Sequence, residues 1–319
     1  MTRALVLGSG GLTGLAWEAG VLQGLADAGV AIADWDLVVG SSAGAYVGAR
    51  LLAEGSAEPL FSAQLAINPS AEEAALSAAA GRLLLLLIRL ARLPGLAWGA
   101  KAAVLPLALR SLTLNAARDG LGEFATLGVI LRSRRQGGTG IETLQALGRL
   151  ARGSGRPEPL LIAYSDHLLG PITAWPAARL AVVAVDIADG SRRAIDRSDG
   201  VSLAQAVAAS SAVAGILPPI TVAGHRYMDG GSGSQTNADL AAEHGQILVV
   251  APADRGALAG ELQSLRSGGA EIAAIRPSNR AAKVLGEELA RLDPARMRAS
   301  AQAGQEDGRA AVPLFKDQA

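Results

Sequence analysis

Two short apolar runs, each ending in a glycine-rich turn and each followed by a helical pattern, occupy the chain up to Gly55 and constrain its fold more than any other feature. Residues 4–7 are apolar, too few for a helix, and stop at Gly8. The turn from Gly8 to Gly14 follows. Leu15, Ala19, Leu22 and Leu25 then recur at helical spacing, and Gly29 is placed to close that helix. Residues 36–39 repeat the apolar run, Gly40-Ser41-Ser42-Ala43-Gly44 repeats the turn, and residues 45–53 repeat the helix. A βαβα unit of this kind needs a parallel sheet. Both turns then lie at its carboxyl edge, where open α/β sheets bind their ligands.

The rest of the chain extends an α/β reading. Half of the residues are hydrophobic but only 3% are aromatic, so the core is Leu, Val, Ile and Ala packing, which suits helices laid on a mostly parallel sheet. Further strand-like runs fall at 160–164, 181–187 and 246–251. A small-residue helix is expected at 205–214 and a hairpin at 221–228 around Gly224. Residues 261–266, 270–275 and 283–292 read as helix, strand and helix. With 319 residues and no linker-like stretch, the expectation is one domain over 1–319. Its core covers about 3–255, with a helical insertion at 71–117, a helix–strand–helix extension at 256–302 and a frayed tail at 303–319. The insertion carries six consecutive apolar residues from Leu83 to Ile88. Arg82, Arg89 and Arg92 interrupt it, so no run reaches the roughly 18–20 residues that a membrane span needs. Two readings remain open for it: a buried helix pair, or a cap in transient contact with a membrane that admits acyl chains.

Composition also excludes. Lys plus Arg and Asp plus Glu both number 29, so the balanced charge offers no footprint for nucleic acid. The absence of cysteine removes disulfides, thiolate metal sites and a cysteine nucleophile together. No metal-ligand spacing is visible, and no metal or cofactor is expected. Glycines interrupt the first apolar run almost at once and no small-residue cleavage pattern follows it. The expectation is a cytoplasmic protein, peripheral on the inner membrane face where it meets lipid.

The second turn is the chain's one Gly-x-Ser-x-Gly, placed between a strand and a helix as a nucleophile elbow requires. Gly40 and Gly44 let the backbone turn sharply. Ser42 then stands at a helix N-terminus, where free N–H groups favour a developing anion. The first turn could cradle a phosphate. The acidic residue that a dinucleotide site expects at the end of the second strand is absent, however, so the amides of Gly10, Gly11 and Leu12 read better as an oxyanion hole. A serine nucleophile needs a proton acceptor. His167 and His244 sit in surface or helix-end contexts, and His225, in the Gly224 turn, is the histidine held in reserve. The other candidate is Asp229, followed by Gly230 and Gly231 at the end of an apparent strand. Asp-Gly is also an ordinary turn signal.

Taken together, Ser9-Gly10-Gly11-Leu12-Thr13-Gly14, Gly40-Ser41-Ser42-Ala43-Gly44 and Asp229-Gly230-Gly231 resemble, in order, the motifs of the patatin-like phospholipases. The stretch Ala209-Ser210-Ser211-Ala212 through Pro218-Pro219 is similar to the segment that precedes the family's Asp motif. The resemblance covers about residues 3–255. It implies a three-layer α/β/α fold and a Ser42–Asp229 dyad without histidine, acting on acyl esters of lipids. The chain departs from the family at Thr13, where Arg or Lys is common, at Ser9, where Gly is common, and at Ala214, where Pro is common. A lipid-binding or regulatory protein with this fold but negligible catalysis is the competing reading.

Overall fold

The structure is a computed structural model that describes residues 1–32, 34–67, 158–214, 217–254 and 256–312. The insertion expected at 71–117 lies outside the described residues. The apolar run after Met1 and Thr2 forms β1 (Arg3–Leu7), which is buried from Ala4 onward. It pairs in parallel with β2 (Leu37–Ser41) on one side and β7 (Gln246–Val250) on the other. β2 continues in parallel to β3 (Leu180–Asp186), and β7 to β8 (Glu271–Ile275). Three antiparallel strands complete the sheet. β4 (Arg192–Ile195) pairs β3, while the hairpin of β5 (Ile220–Val222) and β6 (His225–Asp229) joins through β6. The path is β5-β6-β3-β2-β1-β7-β8.

Successive strand residues point to opposite faces, and both faces are covered. On one, Leu5, Leu7 and Val38 enter a core built by α1 (Gly11–Asp27), α2 (Ala43–Glu54), α3 (Glu58–Ala66), α4 (Glu158–Leu169) and α5 (Leu203–Ser210). On the other, Ala4, Val6, Val39 and Val249 meet Leu258, Leu262 and Leu265 of α6 (Leu258–Ser267). The result is the expected three-layer, mostly parallel arrangement. No described helix is long and apolar enough to cross a membrane.

Three local expectations need correction. Residues 160–164 are not a strand but the middle of α4. Leu161, Ser165 and Leu169 are buried at four-residue spacing there, while Leu160 and Tyr164 face outward. The helix expected over 283–292 is two pieces. α7 (Asn279–Leu285) ends at Gly286, whose φ of 74° breaks the helix, and a short 3₁₀ segment follows at Glu288–Leu292. Residues 303–310 are not frayed, because they belong to α8 (Met297–Ala310), which packs along α1.

Candidate active site

Sheet register brings the sequence motifs together. Ser41 lies opposite Val183 and Asp229 lies opposite Ala184, so consecutive residues of β3 carry the ends of β2 and β6. Ser42 lies one step past the end of β2, and Asp229 is the last residue of β6. Both are buried, at 8% and 7% exposure.

Ser42 caps α2 with φ 52° and ψ −111°, a left-handed backbone that a serine adopts only when its surroundings hold it there. The elbow is tight because Gly44 has no side chain: a Cβ there would stand 2.1 Å from the Leu7 carbonyl oxygen. The Gly44 amide donates to Gly8 O at 3.1 Å, which ties the elbow to the first turn. That turn also reaches the third motif. Ser9 N–H donates to Gln235 O at 2.7 Å, and the Gln235 side chain donates to Gly231 O at 3.0 Å. Gly231 lies so close to the Ser9 side chain that a Cβ would come within 2.2 Å of its hydroxyl. Gly10 caps α1, and the amides of Gly11, Leu12 and Thr13 open its first turn, where no intrahelical acceptor exists.

The Asp229 carboxylate is oriented by its own turn, with Oδ1 accepting from Gly231 N–H at 2.7 Å. Its backbone amide donates to Ala212 O at 2.9 Å. Gly230 passes against Val183, where a Cβ would lie 2.2 Å from the carbonyl oxygen. His225 is not part of this cluster. It begins β6, about 13 Å of strand from Asp229, and its Nδ1 lies 2.9 Å from Asp186 Oδ2. His167 lies on α4, and the ring of His244 packs on its own turn, with Nδ1 3.3 Å from Ala241 O.

Residues 5–242 match the family model described as patatin-like phospholipase. The chain belongs to that family. Among solved structures, the type III effector protein ExoU is similar, with 17% identity and a TM-score of 0.33 over 97% of this chain. The chain spans about half of that structure's length, 53%. A comparison with curated proteins finds no match.

Reading motifs along the sequence missed the groups that hold this patatin-like site in place. Asn237 is fully buried with φ 55°. Its amide nitrogen donates to Ser41 Oγ at 2.8 Å and Ser234 O at 2.9 Å, and its Oδ1 accepts from Arg192 at 3.0 Å. Arg192 also grips Asp239 with both nitrogens and holds that carboxyl below the usual range. No motif marks Asn237 beforehand, since two of its partners, Ser41 and Arg192, come from distant segments. Ser210 lies in the segment similar to the family's, which hinted at its place but not its contacts. Thr13, where the family commonly has a cation, is buried and donates to Leu285 O at 3.1 Å. Glu18 on α1 is also fully buried. Its oxygens make no hydrogen bond to a described group, and burial pushes its pKa well above the carboxylate range, only partly opposed by the nearby Gly8 amide.

Proposed function

We propose that the chain hydrolyses acyl esters of lipids with Ser42 as nucleophile and Asp229 as its base. The observation that carries this reading is the β3 register, which sets the ends of β2 and β6 at adjacent positions of one sheet edge. In the proposed reaction, Ser42 Oγ attacks the ester carbonyl and gives its proton to the Asp229 carboxylate, which passes it to the departing alcohol. The oxygen of the tetrahedral intermediate is stabilised by the Gly10, Gly11 and Leu12 amides. Loss of one such donor typically costs about 2.7–4 kcal/mol of barrier. Asp229 then deprotonates a water molecule that releases the acyl group and regenerates Ser42. No step calls on histidine, and the one reserve histidine is engaged with Asp186.

The test is hydrolysis of short- and long-chain p-nitrophenyl esters by wild type, Ser42→Ala and Asp229→Asn, with folding followed by circular dichroism. Both variants should stay folded and lose at least about 10³-fold in kcat/KM. Wild-type turnover in Asp229→Asn would remove Asp229 as the base. An inactive wild-type protein whose Ser42 also resists a serine-reactive phosphonate would return the site to a lipid-binding role.

A further inference from the structure

We infer that Ser210 is a positioning residue that sets the Ser42 nucleophile against the Asp229 turn; this rests on the dyad reading above. A serine at φ 52° and ψ −111° holds a strained backbone. Its amide needs an acceptor that the helix following it does not supply. That acceptor is a side chain from another element. Ser210, the last residue of α5, accepts from Ser42 N–H at 2.8 Å and donates its own hydrogen to Val183 O at 2.6 Å. Ser210 is fully buried, and this one hydroxyl thus bridges the nucleophile to β3.

The same short segment holds the other half of the dyad. Two residues after Ser210, the Ala212 carbonyl accepts from the Asp229 amide at 2.9 Å. Val183 O, which receives the Ser210 hydrogen, is also the carbonyl against which Gly230 packs. The links run from Ser42 to Ser210, along the backbone to Ala212, and on to Asp229, with Val183 O as a second junction between the same two ends. Removing the Ser210 hydroxyl leaves the Ser42 amide and Val183 O without this partner in a buried place and frees the strained elbow to relax. A displacement of about 1 Å at a nucleophile can cost on the order of 10²-fold in rate.

Ser210→Ala and Ser210→Cys would be compared with wild type at 25 °C. Cysteine keeps the volume while bonding only weakly. Readouts are kcat and KM on p-nitrophenyl butyrate, the rate of Ser42 inactivation by a fluorophosphonate, and the thermal midpoint. Expected is a 10- to 100-fold fall in kcat, the same fall in the inactivation rate, and KM within about twofold of wild type. The cysteine variant, which leaves no cavity, should show most of this loss even where alanine fails to fold. Wild-type kcat and inactivation rate in the folded cysteine variant would reduce Ser210 to a structural role and overturn the inference. Failure of the dyad reading looks different: wild-type protein itself would then show no labelling at Ser42 and no loss in Ser42→Ala.

Discussion

The turns after β1 and β2 occupy equivalent places on neighbouring parallel strands, yet they are held by opposite means. The turn after β2 is held from within by buried polar side chains, Ser210 on the Ser42 amide and Asn237 on the Ser41 hydroxyl. Both lie inside the span that matches the family. The glycine turn after β1 has no side-chain cap. Its shape is imposed by what presses on it: a Cβ at Gly10 would lie 2.8 Å from the Pro252 ring, and one at Gly11, where φ is 65°, would lie 2.8 Å from Arg291 O. Thr13 is bonded to Leu285 O, and Arg291 donates to Pro252 O. All of these contacts come from beyond residue 242, outside the matched span. A turn that must present backbone amides leaves its side-chain positions small, so distant segments must do the bracing.

The brace has its own anchor. Gly20 and Gly24 on α1 and Gly304 and Gly308 on α8 let the two helices touch backbone to backbone. A Cβ at Gly20 would stand 2.0 Å from Ala301 O, and one at Gly304 would stand 2.1 Å from Trp17 O. Polar contacts from the last turns of α8 add to this. Trp17 donates to Asp307 at 2.8 Å, and Arg309 and Gln305 hold Asp27. The two arrangements therefore differ in reach, since the elbow is held by side chains inside the matched span whereas the glycine turn also leans on segments beyond it, which a helix pair along Trp17 to Asp27 carries.

The sharpest way to break this contrast is at the elbow. Gly44→Ala forces a methyl group onto the Leu7 carbonyl and should cost about 3–5 kcal/mol in urea unfolding, with turnover lost. A midpoint unchanged from wild type would mean that the elbow is looser than its contacts say. Next in size is Gly304→Leu, far from Ser42, which pries α8 from α1 and should cost about 3 kcal/mol. If α8 braces the glycine turn, kcat per folded molecule falls too, whereas a lower thermal midpoint with intact kcat would show that the turn supports itself.

An effect that depends on pH sharpens the picture beneath the glycine turn. Because burial raises the Glu18 pKa, the folded protein keeps a proton that the unfolded chain releases. That contribution is complete below the unfolded value of about 4.3 and is lost as pH rises from there towards the folded value, by up to about 1.4 kcal/mol per pH unit. Glu18→Gln should flatten this slope and gain on wild type as pH increases from 5 to 8. Parallel urea-unfolding profiles of the two proteins across that range would show that Glu18 does not titrate on unfolding.

Local pattern exposed much of the framework. Strands β1, β2, β3 and β7, helices α1 and α2 and the β5–β6 hairpin fall where apolar runs and glycine turns placed them. The misses have separate causes. The run at 160–164 was too short to separate a strand from a buried helix, and the outward Leu160 and Tyr164 added an apolar signal with no burial behind it. α8 was unreadable because close helix contact is made by Gly, Ala and Ser, which carry no hydrophobic period. The pull of Ser210 on the Ser42 amide was invisible for a different reason: a hydrogen bond between distant segments leaves no spacing in the chain.

What the sequence determined by itself is the set of parts: two strand–turn–helix units, a serine in the elbow, an amide-bearing glycine turn, and an aspartate at a strand end. Those properties are local, set by side-chain bulk and the few conformations each turn allows. Only the tertiary structure decided that β2 and β6 end against consecutive residues of β3, Ser41 across from Val183 and Asp229 across from Ala184, and that the glycine turn is braced by segments from the other end of the chain. Strand order and register follow from how the whole sheet buries both of its faces at once, which no single window of sequence contains.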